Sequence, residues 1–303
     1  MRQPIGIFDS GLGGLTVVRA VRRRLPAESI VYFGDTARVP YGIKSGETVT
    51  RFAMEDCGFL CRWDPKFIVV ACNTASAAAL PALEQKFSLP ILGVIEPGAR
   101  AAVQVAGDRP IGVVGTEATI ASGAYRRAIR RLAPAAVLVE KACPLLVPMV
   151  EEGRGPDDHL VRAALQEYLG PLRESGVGAV VLGCTHYPLL AEGIQEVIGP
   201  GVALVDSAEA VAEEVARRLA AAGLQAEGGP GDAPAKPGYA RAEPGTVRWF
   251  VSDNPSRFRT VGQRFLGEPI EAVTLVSPEV FLDPSQGGSA RPARMTQAVE
   301  ESQ

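Results

Sequence analysis

Two cysteines stand where a thiol could take part in acid–base chemistry. Cys72 follows the apolar run Phe67–Ala71, and Cys184 follows the apolar run Ala179–Leu182 after one glycine. Both precede hydroxyl or amide side chains and the start of a predicted helix. Free amide N–H groups at a helix N-terminus stabilise a thiolate and lower its pKa, so we expect both thiols to be reactive.

Two opposed thiols suit the inversion of a carbon stereocentre. One thiolate takes a proton from the carbon acid and the second thiol delivers a proton to the opposite face. The residues alone leave two alternatives open. A metal site would use both cysteines and His186, although their spacing is weak evidence for zinc. A cysteine–histidine nucleophile would pair Cys184 with His186, although adjacency in sequence does not establish the geometry of a base.

The other three cysteines, Cys57, Cys61 and Cys143, fit a structural role, because a buried free cysteine usually acts as a small apolar side chain. Five cysteines without a CxxC pair predict neither a disulfide framework nor a zinc knuckle. The N-terminus has no secretory signal pattern. We therefore expect reduced thiols in a soluble, cytoplasmic protein.

Short apolar runs alternate with helix-compatible stretches, and these must position the cysteines. Strands are predicted at Ile5–Phe8, Ile30–Phe33, Phe67–Ala71, Ile91–Val94, Ile111–Val114, Val137–Val139, Ala179–Leu182 and Ala203–Val205. Helices are predicted at Leu15–Arg24, Glu47–Trp63 and Asp157–Leu172. Strands without polar alternation are buried on both faces, which is typical of a parallel sheet covered by helices. The predicted fold class is α/β.

Two strand-end motifs recur in the same order along the chain. Ile5–Ser10 resembles Ile111–Thr116, which lies 106 residues further on. Ile68–Thr74 resembles Val180–His186, at an offset of 112 residues. Together the two matches favour two similar parallel-sheet α/β domains that face each other. The two thiols would then face each other across a cleft, with their sulfur atoms within about 10 Å, since both must reach one carbon atom.

The C-terminal third has no counterpart in this repeat. Asp206-Ser207 predicts a helix start, Val247–Val251 a strand, Asn254-Pro255 a second helix start and Ala272–Val276 a last strand. We expect these elements to complete a discontinuous first domain of residues 1–95 and 208–277, with residues 96–207 as the second domain. Residues 223–245 are predicted to form a flexible excursion and residues 278–303 a disordered tail.

Length and charge exclude several classes of protein. A chain of 303 residues suits about two domains. Its net charge of −3 gives no overall positive field for nucleic acid or an anionic membrane. No apolar run reaches the roughly 18 residues that span a bilayer. We therefore expect a small-molecule substrate, with neither nucleic acid nor membrane as a partner.

The glycine-rich loop after the first strand does not fit a dinucleotide site. Counted from Gly11, the G-x-G-x-x-G pattern requires a glycine at the position of Thr16. Asp9 would also repel a pyrophosphate. The chain contains no G-x-x-x-x-G-K-[ST] motif, so nucleotide binding is disfavoured.

Four strand-end segments together strongly resemble the glutamate racemases of the aspartate/glutamate racemase family. They are GIFDSGLGG at 6–14, YFGDTARVPYG at 32–42, ACNTAS at 71–76 and GCTHYPL at 183–189. The resemblance runs from about Ile5 to Val276. It implies cofactor-independent interconversion of L- and D-glutamate, which supplies D-glutamate for peptidoglycan and the cell wall. No metal is implied, and no lysine lies in a motif to bind pyridoxal phosphate.

The resemblance also implies roles for individual residues. Cys72 and Cys184 match the two acid/base thiols, and the earlier one acts on the D form. Asp9, His186 and Glu151 match residues that assist proton transfer, and the adjacent Glu152 leaves the last assignment open by one position. The matching substrate-binding segments are Asp9-Ser10, Pro40-Tyr41-Gly42, Asn73-Thr74 and Thr185-His186.

The chemistry of these residues agrees with the resemblance. Backbone N–H groups and hydroxyls near Asn73, Thr74, Thr116, Thr119 and Thr185 can bind the substrate carboxylates. The carboxylate of Asp9 can hold the ammonium group. Structural explanations stay open for several positions: helix capping by Asp9, Asn73 or Thr185, packing of a turn by Tyr41, and a core position for His186.

Two other functions remain open. A non-catalytic protein that binds acidic amino acids could use the same scaffold, but it would need neither thiol. An aspartate racemase would differ only in the shape of its pocket, which the sequence does not reveal. The sequence also leaves the oligomeric state open, a homodimer included.

Overall fold

The computed structural model of the protein describes residues 3–226 and 245–277. Its strands are β1 (Ile5–Asp9), β2 (Ile30–Gly34), β3 (Phe67–Val70), β4 (Ile91–Gly93), β5 (Ile111–Gly115), β6 (Leu138–Ala142), β7 (Ala179–Gly183), β8 (Ala203–Asp206), β9 (Val247–Val251) and β10 (Val273–Leu275). Except for β6, every predicted strand agrees with the structure to within one residue at each end.

The helices fill the intervals between the strands. They are α1 (Leu15–Arg24), α2 (Gly46–Cys61), α3 (Asn73–Lys86), α4 (Ile95–Ala106), α5 (Glu117–Ala121), α6 (Ala124–Leu132), α7 (Leu146–Glu151), α8 (His159–Glu174), α9 (Ala191–Ile198), α10 (Ser207–Ala221) and α11 (Pro255–Leu266). Short 3₁₀ turns lie at Thr36–Arg38, Tyr41–Ile43 and Tyr187–Leu190. The predicted bounds of α1 and the predicted starts of α10 and α11 are confirmed.

The strands form two parallel sheets with a shared order. The first sheet runs β10-β9-β2-β1-β3-β4 and the second runs β6-β5-β7-β8. Strands β5 to β8 therefore repeat the arrangement of β1 to β4. The prediction of two similar parallel-sheet α/β domains is confirmed, and the unmatched strands β9 and β10 lie at the edge of the first sheet beside β2. The division at residues 95/96 and 207/208 stays a prediction.

The central strands are apolar because helices cover both faces of each sheet. Ile5 of β1 is paired with Ile30 of β2 and Phe67 of β3, and all three side chains are buried. In the second sheet Ile111 of β5 stands between its neighbours in the same way, beside Leu138 and Ala179. Because the strands are parallel, the carboxyl ends of β1 and β3 lie together at the same end of the first sheet. Those of β5 and β7 do so in the second sheet.

Three predicted elements have wrong bounds. The helix predicted at Glu47–Trp63 ends at Cys61, and the helix predicted at Asp157–Leu172 ends at Glu174. The differences at β6 and at the start of α8 have local physical reasons. The strand predicted at Val137–Val139 is β6, which begins at Leu138 and continues through Glu140 and Lys141 to Ala142, because one side of an edge strand can face solvent. The helix predicted from Asp157 begins at His159. Asp158 is its N-cap, and its carboxylate accepts hydrogen bonds from the backbone N–H groups of Leu160 and Val161.

Most of the predicted excursion, residues 227–244, and the predicted tail, residues 278–303, lie outside the described residues. The described ends of the excursion meet at one turn. The backbone N–H of Ala226 donates to the carboxylate of Glu28 over 2.7 Å. A Cβ on Gly245 would lie 3.0 Å from the carbonyl oxygen of Pro26. Ala226 and Gly245 therefore both lie against the turn of Pro26 and Glu28.

Candidate active site

The first predicted thiol, Cys72, lies between β3 and α3 and is buried. It is the N-cap residue of α3, and its Sγ accepts a hydrogen bond from the backbone N–H of Ala75 at 3.5 Å. Its Sγ also lies 3.6 Å from the hydroxyl of Ser10. The helix cap is therefore the thiol itself, and the neighbouring Asn73 is already the first residue of the helix.

The expectation that Cys72 has a lowered pKa is wrong, although the N–H of Ala75 at the helix N-terminus acts in the expected direction. Burial and the nearby Asp9 carboxylate raise the pKa of the thiol to about 12. The hydrogen bonds from Ala75 and Ser10 act in the opposite direction but are weaker, and the Cys184 thiol adds to the rise. In the absence of substrate Cys72 is thus a neutral thiol.

Asp9 ends β1 and is fully buried. Its Oδ2 accepts a hydrogen bond of 2.9 Å from the backbone N–H of Gly11, whereas Oδ1 has no hydrogen-bond partner within the described part of the chain. Burial raises the pKa of this carboxyl, while the His186 charge and backbone N–H groups lower it. The N-cap position of α1 is occupied by Gly14 without a side-chain hydrogen bond, so Asp9 does not cap that helix.

The second thiol, Cys184, follows β7 and is buried beside a histidine. Its Sγ lies 3.8 Å from Nδ1 of His186, and Nε2 of the same ring lies 3.0 Å from Oε1 of Glu151. Burial alone would lower the pKa of His186, but the hydrogen bonds to Cys184 and Glu151 outweigh it and raise the pKa to about 10. The imidazole is therefore charged where it faces the sulfur of Cys184.

Glu151, at the end of α7, is the glutamate that contacts His186, and Glu152 is not. Glu152 is exposed and pairs with Arg154. Burial would raise the pKa of Glu151, yet His186 and Arg257 hold it below its ordinary range. Arg257, whose Nη2 lies 3.4 Å from Oε2 of Glu151, gave no signal in the sequence because it lies in α11, far along the chain from α7.

The predicted threonines form a hydrogen-bonded triangle. The Thr74 hydroxyl, in the first turn of α3, lies 2.9 Å from that of Thr116 and 3.1 Å from that of Thr119. The last two are 2.9 Å apart at the start of α5. Gly42 packs onto this group so closely that a Cβ would lie 2.7 Å from Thr116. The triangle therefore joins the strand ends of the two sheets.

Asn73 contributes to the same junction through a contact that the sequence did not suggest. Its Oδ1 accepts a hydrogen bond of 2.7 Å from the hydroxyl of Tyr125 in α6. The same hydroxyl lies 3.0 Å from that of Ser207. The amide of Asn73 is thus oriented by the second half of the molecule.

The predicted segment Pro40-Tyr41-Gly42 is held in place by hydrogen bonds of the Tyr41 side chain. The Tyr41 hydroxyl donates to the buried carboxylates of Asp35 and Asp56, and Arg38 pairs with both. Val39-Pro40 is a cis peptide. The side chain of Tyr41 is therefore engaged in the first domain, which agrees with the structural explanation for this residue.

Gly13 brings the first loop into contact with the end of β7. A Cβ on Gly13 would lie 2.0 Å from Oγ1 of Thr185 and 2.7 Å from Nδ1 of His186. The Thr16 hydroxyl lies 3.5 Å from the carbonyl oxygen of Thr185. Only a residue without a side chain fits where these segments meet.

The three remaining cysteines stay apart from these contacts. Cys57 and Cys143 are buried and Cys61 is partly buried, and all three are free thiols. Among the described residues there is no group of three or more histidine, cysteine or acidic side chains that could hold a metal ion. Over the same residues no helix is long and apolar enough to cross a membrane.

Two parallel-sheet domains, each with a buried cysteine after an equivalent strand, define a two-domain α/β protein with its polar groups collected at the junction. A family model described as Asp/Glu/Hydantoin racemase matches residues 13–215. The chain belongs to that family.

Individual relatives agree. A glutamate racemase from Geobacter metallireducens is 52% identical over 275 residues, which cover 91% of this chain and 97% of the relative. A solved glutamate racemase isoform from Bacillus anthracis is similar at a TM-score of 0.82 and 39% identity, covering 92% of this chain and 98% of that one. A glutamate racemase from Francisella tularensis, solved in complex with D-glutamate, is similar at a TM-score of 0.80 and 35% identity, with coverages of 91% and 98%.

Proposed function

We propose that this protein interconverts L-glutamate and D-glutamate by two-base proton transfer without a cofactor, and so supplies D-glutamate for peptidoglycan. The observation that carries the proposal is the pair Cys72 and Cys184, buried after equivalent strands of two sheets with one strand order. A protein that only binds an acidic amino acid has no need of either thiol.

The substrate is held by groups of opposite polarity. The unpartnered Oδ1 of Asp9 accepts the ammonium group, since a buried carboxylate oxygen without a partner gains most from a charged donor. The hydroxyls of Thr74 and Thr116, together with Ser10 and Thr185, bind the carboxylates. The positive ammonium also offsets the charge of Asp9, which is one of the causes of the raised pKa of Cys72. Substrate binding thereby makes that thiol easier to ionise.

The reaction is a transfer of one proton on each face of the α-carbon. In the L-to-D direction Cys184 acts as the base: its thiolate sulfur, beside the protonated imidazole of His186, removes the α-proton and becomes a neutral thiol. The neutral Cys72 thiol then donates its proton to the opposite face, which leaves Cys72 as a thiolate. The D-to-L direction uses the same steps in reverse. The carbanion-like state is stabilised by fixed hydrogen bonds to the carboxylate instead of an electron-accepting cofactor.

Circular dichroism of the purified protein with L-glutamate and no added cofactor tests the proposal. Ellipticity should decay to zero, and it should do so after exhaustive dialysis against a chelator. L-Aspartate, tested in parallel, decides against an aspartate racemase if its ellipticity stays constant. Calorimetric binding of glutamate with constant ellipticity would instead establish a non-catalytic binding protein.

We further propose that the protein works in the cytoplasm and can form a homodimer. Free thiols at all five cysteines fit a reducing compartment. Cell fractionation tests the location, and light scattering of the purified protein across a range of concentrations tests the assembly.

A further inference from the structure

Helix α11 belongs to the part of the fold that the second half does not repeat. It follows β9, which pairs with β2 in the first sheet, and it packs on that domain through Phe258, whose ring lies 5.8 Å from that of Tyr32. Gly262 lies against Leu15 of α1, where a Cβ would come within 2.8 Å of the leucine side chain. The helix is therefore fixed to the first domain along its inner face.

The same helix reaches across to α7 of the second domain with two arginines. Nη1 of Arg264 lies 3.1 Å from the carbonyl oxygen of Val150. Nη2 of Arg257 lies 3.5 Å from the carbonyl oxygen and 3.4 Å from the carboxylate of Glu151. Residues seven apart lie on one face of a helix. Cationic side chains at the last carbonyl groups of α7 also complement its helix dipole.

A third residue of α11 contacts the histidine directly. The ring of Phe265 stands edge-on to that of His186, with centroids 5.1 Å apart. The His186 ring is thus bounded by Glu151 at Nε2, Cys184 at Nδ1 and Phe265 on the side of α11. The charged groups around it are Glu151 and Asp9, with Arg257 beyond Glu151.

We propose that α11 keeps the His186–Glu151 pair in place beside Cys184. Arg257 is the principal positioning residue, and Arg264 supports it. This inference rests on the proposed function. Within the described ranges, the Sγ of Cys72 is hydrogen-bonded to Ser10 and Ala75 and has no histidine–carboxylate pair beside it. Helix α11, which lies outside the repeat, therefore makes the two thiols unequal. Arg257 acts on one half-reaction, the one in which Cys184 exchanges a proton with the L-glutamate face.

Single-thiol variants separate the two half-reactions. Of the two proposed acid/base thiols, the Cys72→Ser variant keeps Cys184 and should exchange the α-proton of L-glutamate in D2O. The Cys184→Ser variant keeps Cys72 and should exchange the α-proton of D-glutamate. Adding Arg257→Gln should slow exchange about fivefold in the first background and leave the second unchanged. A fivefold effect corresponds to the upper range for a partly exposed ion pair. Arg257→Lys should recover part of the rate.

The matched control is Arg259→Gln, which removes the same charge from an exposed position of the same helix. It should leave both exchange rates unchanged. Equal losses in both backgrounds, or none in either, would overturn the positioning role. If neither Cys72→Ser nor Cys184→Ser exchanges the α-proton, the proposed two-base mechanism is wrong. The positioning role of Arg257 is then tested by a measurement that does not depend on catalysis.

That readout is the NMR titration of the imidazoles. The chain has only two histidines, and His159, at the exposed start of α8, is an internal reference. Protonation of Glu151 should produce an acidic inflection in the signals of His186. Because Arg257 holds the pKa of Glu151 down, this inflection should move to higher pH in Arg257→Gln and stay in place in Arg259→Gln. An unmoved inflection would refute the contact on which the proposal depends.

Discussion

Nε2 of His186 lies 3.0 Å from Oε1 of Glu151, at the end of a chain of contacts that starts at the sulfur of Cys184. The carboxylate fixes the ring and stabilises its charged form. Cys72 is placed differently, because the negative charge of the Asp9 carboxylate raises the pKa of its thiol. The two thiols are related by the repeat of the fold but work in unlike electrostatic surroundings.

Replacement of Glu151 by glutamine should slow racemisation about tenfold, because the ring then loses the charge that keeps it protonated. The isosteric change at the neighbouring position, Glu152→Gln, is the matched control and should have little effect, since that side chain is exposed and pairs with Arg154. Turnover measured from both enantiomers by circular dichroism is sufficient. A larger loss in Glu152→Gln than in Glu151→Gln would contradict the assignment.

Replacement of either thiol by serine should abolish racemisation in both directions, because the equilibrium constant between mirror images is fixed and a hydroxyl is a far weaker acid and base. Exchange of the α-proton with D2O distinguishes the two variants. By the family resemblance, Cys184→Ser should retain exchange only from D-glutamate and Cys72→Ser only from L-glutamate. Full racemisation by either variant would exclude the two-base mechanism.

Gly13→Ala should lower activity about 100-fold without unfolding the protein, since a Cβ there would displace Thr185 and His186 from the first loop. Gly58→Ala is the matched control. It lies inside α2 with nothing within 4 Å of the added carbon, so it should retain activity and gain about 0.5–1 kcal/mol of stability. Activity and urea unfolding are measured for both variants. A Gly13→Ala variant with the activity of the wild type would refute the predicted close contact of the first loop with Thr185 and His186.

Alkaline pH should weaken the fold through His186. Its pKa is raised from 6.5 to about 10, so the stabilisation is complete below pH 6.5 and is lost as the pH rises through about 10. Urea unfolding at pH 6.5, 7.5 and 8.5 should show a falling free energy of unfolding for the wild type. The slope should be smaller in His186→Gln. Identical slopes would mean that the imidazole is not charged in the folded protein.

The sequence predicted those features that depend on local patterns. The strands of both sheets, the caps Asp206 and Asn254, and the motif at each strand end all follow from short-range periodicity and residue type. The predicted strand β6 is too short because its later residues are polar, which an edge strand permits. The contacts of Arg257 with Glu151 and of Tyr125 with Asn73 join segments far apart in the chain, and no local pattern encodes them.

The pKa of Cys72 likewise depends on contacts that no local sequence pattern encodes. A helix N-terminus, visible in the sequence, predicts an easily ionised thiol. Complete burial and the neighbouring Asp9 carboxylate reverse that outcome, and both arise only when β1 and β3 lie side by side. The direction of a pKa shift is therefore a property of the assembled strand ends.

The meeting of Ala226 and Gly245 at the turn of Pro26 and Glu28 has a practical consequence for protein engineering. Entry and exit points this close form a natural splice point, because the entropy of closing a loop changes only slowly with its length. Replacing residues 227–244 by a short glycine–serine linker should preserve both the fold and turnover. The same junction can accept a reporter or an affinity tag far along the chain from either thiol, and an inactive but folded deletion variant would show that the intervening residues serve the reaction.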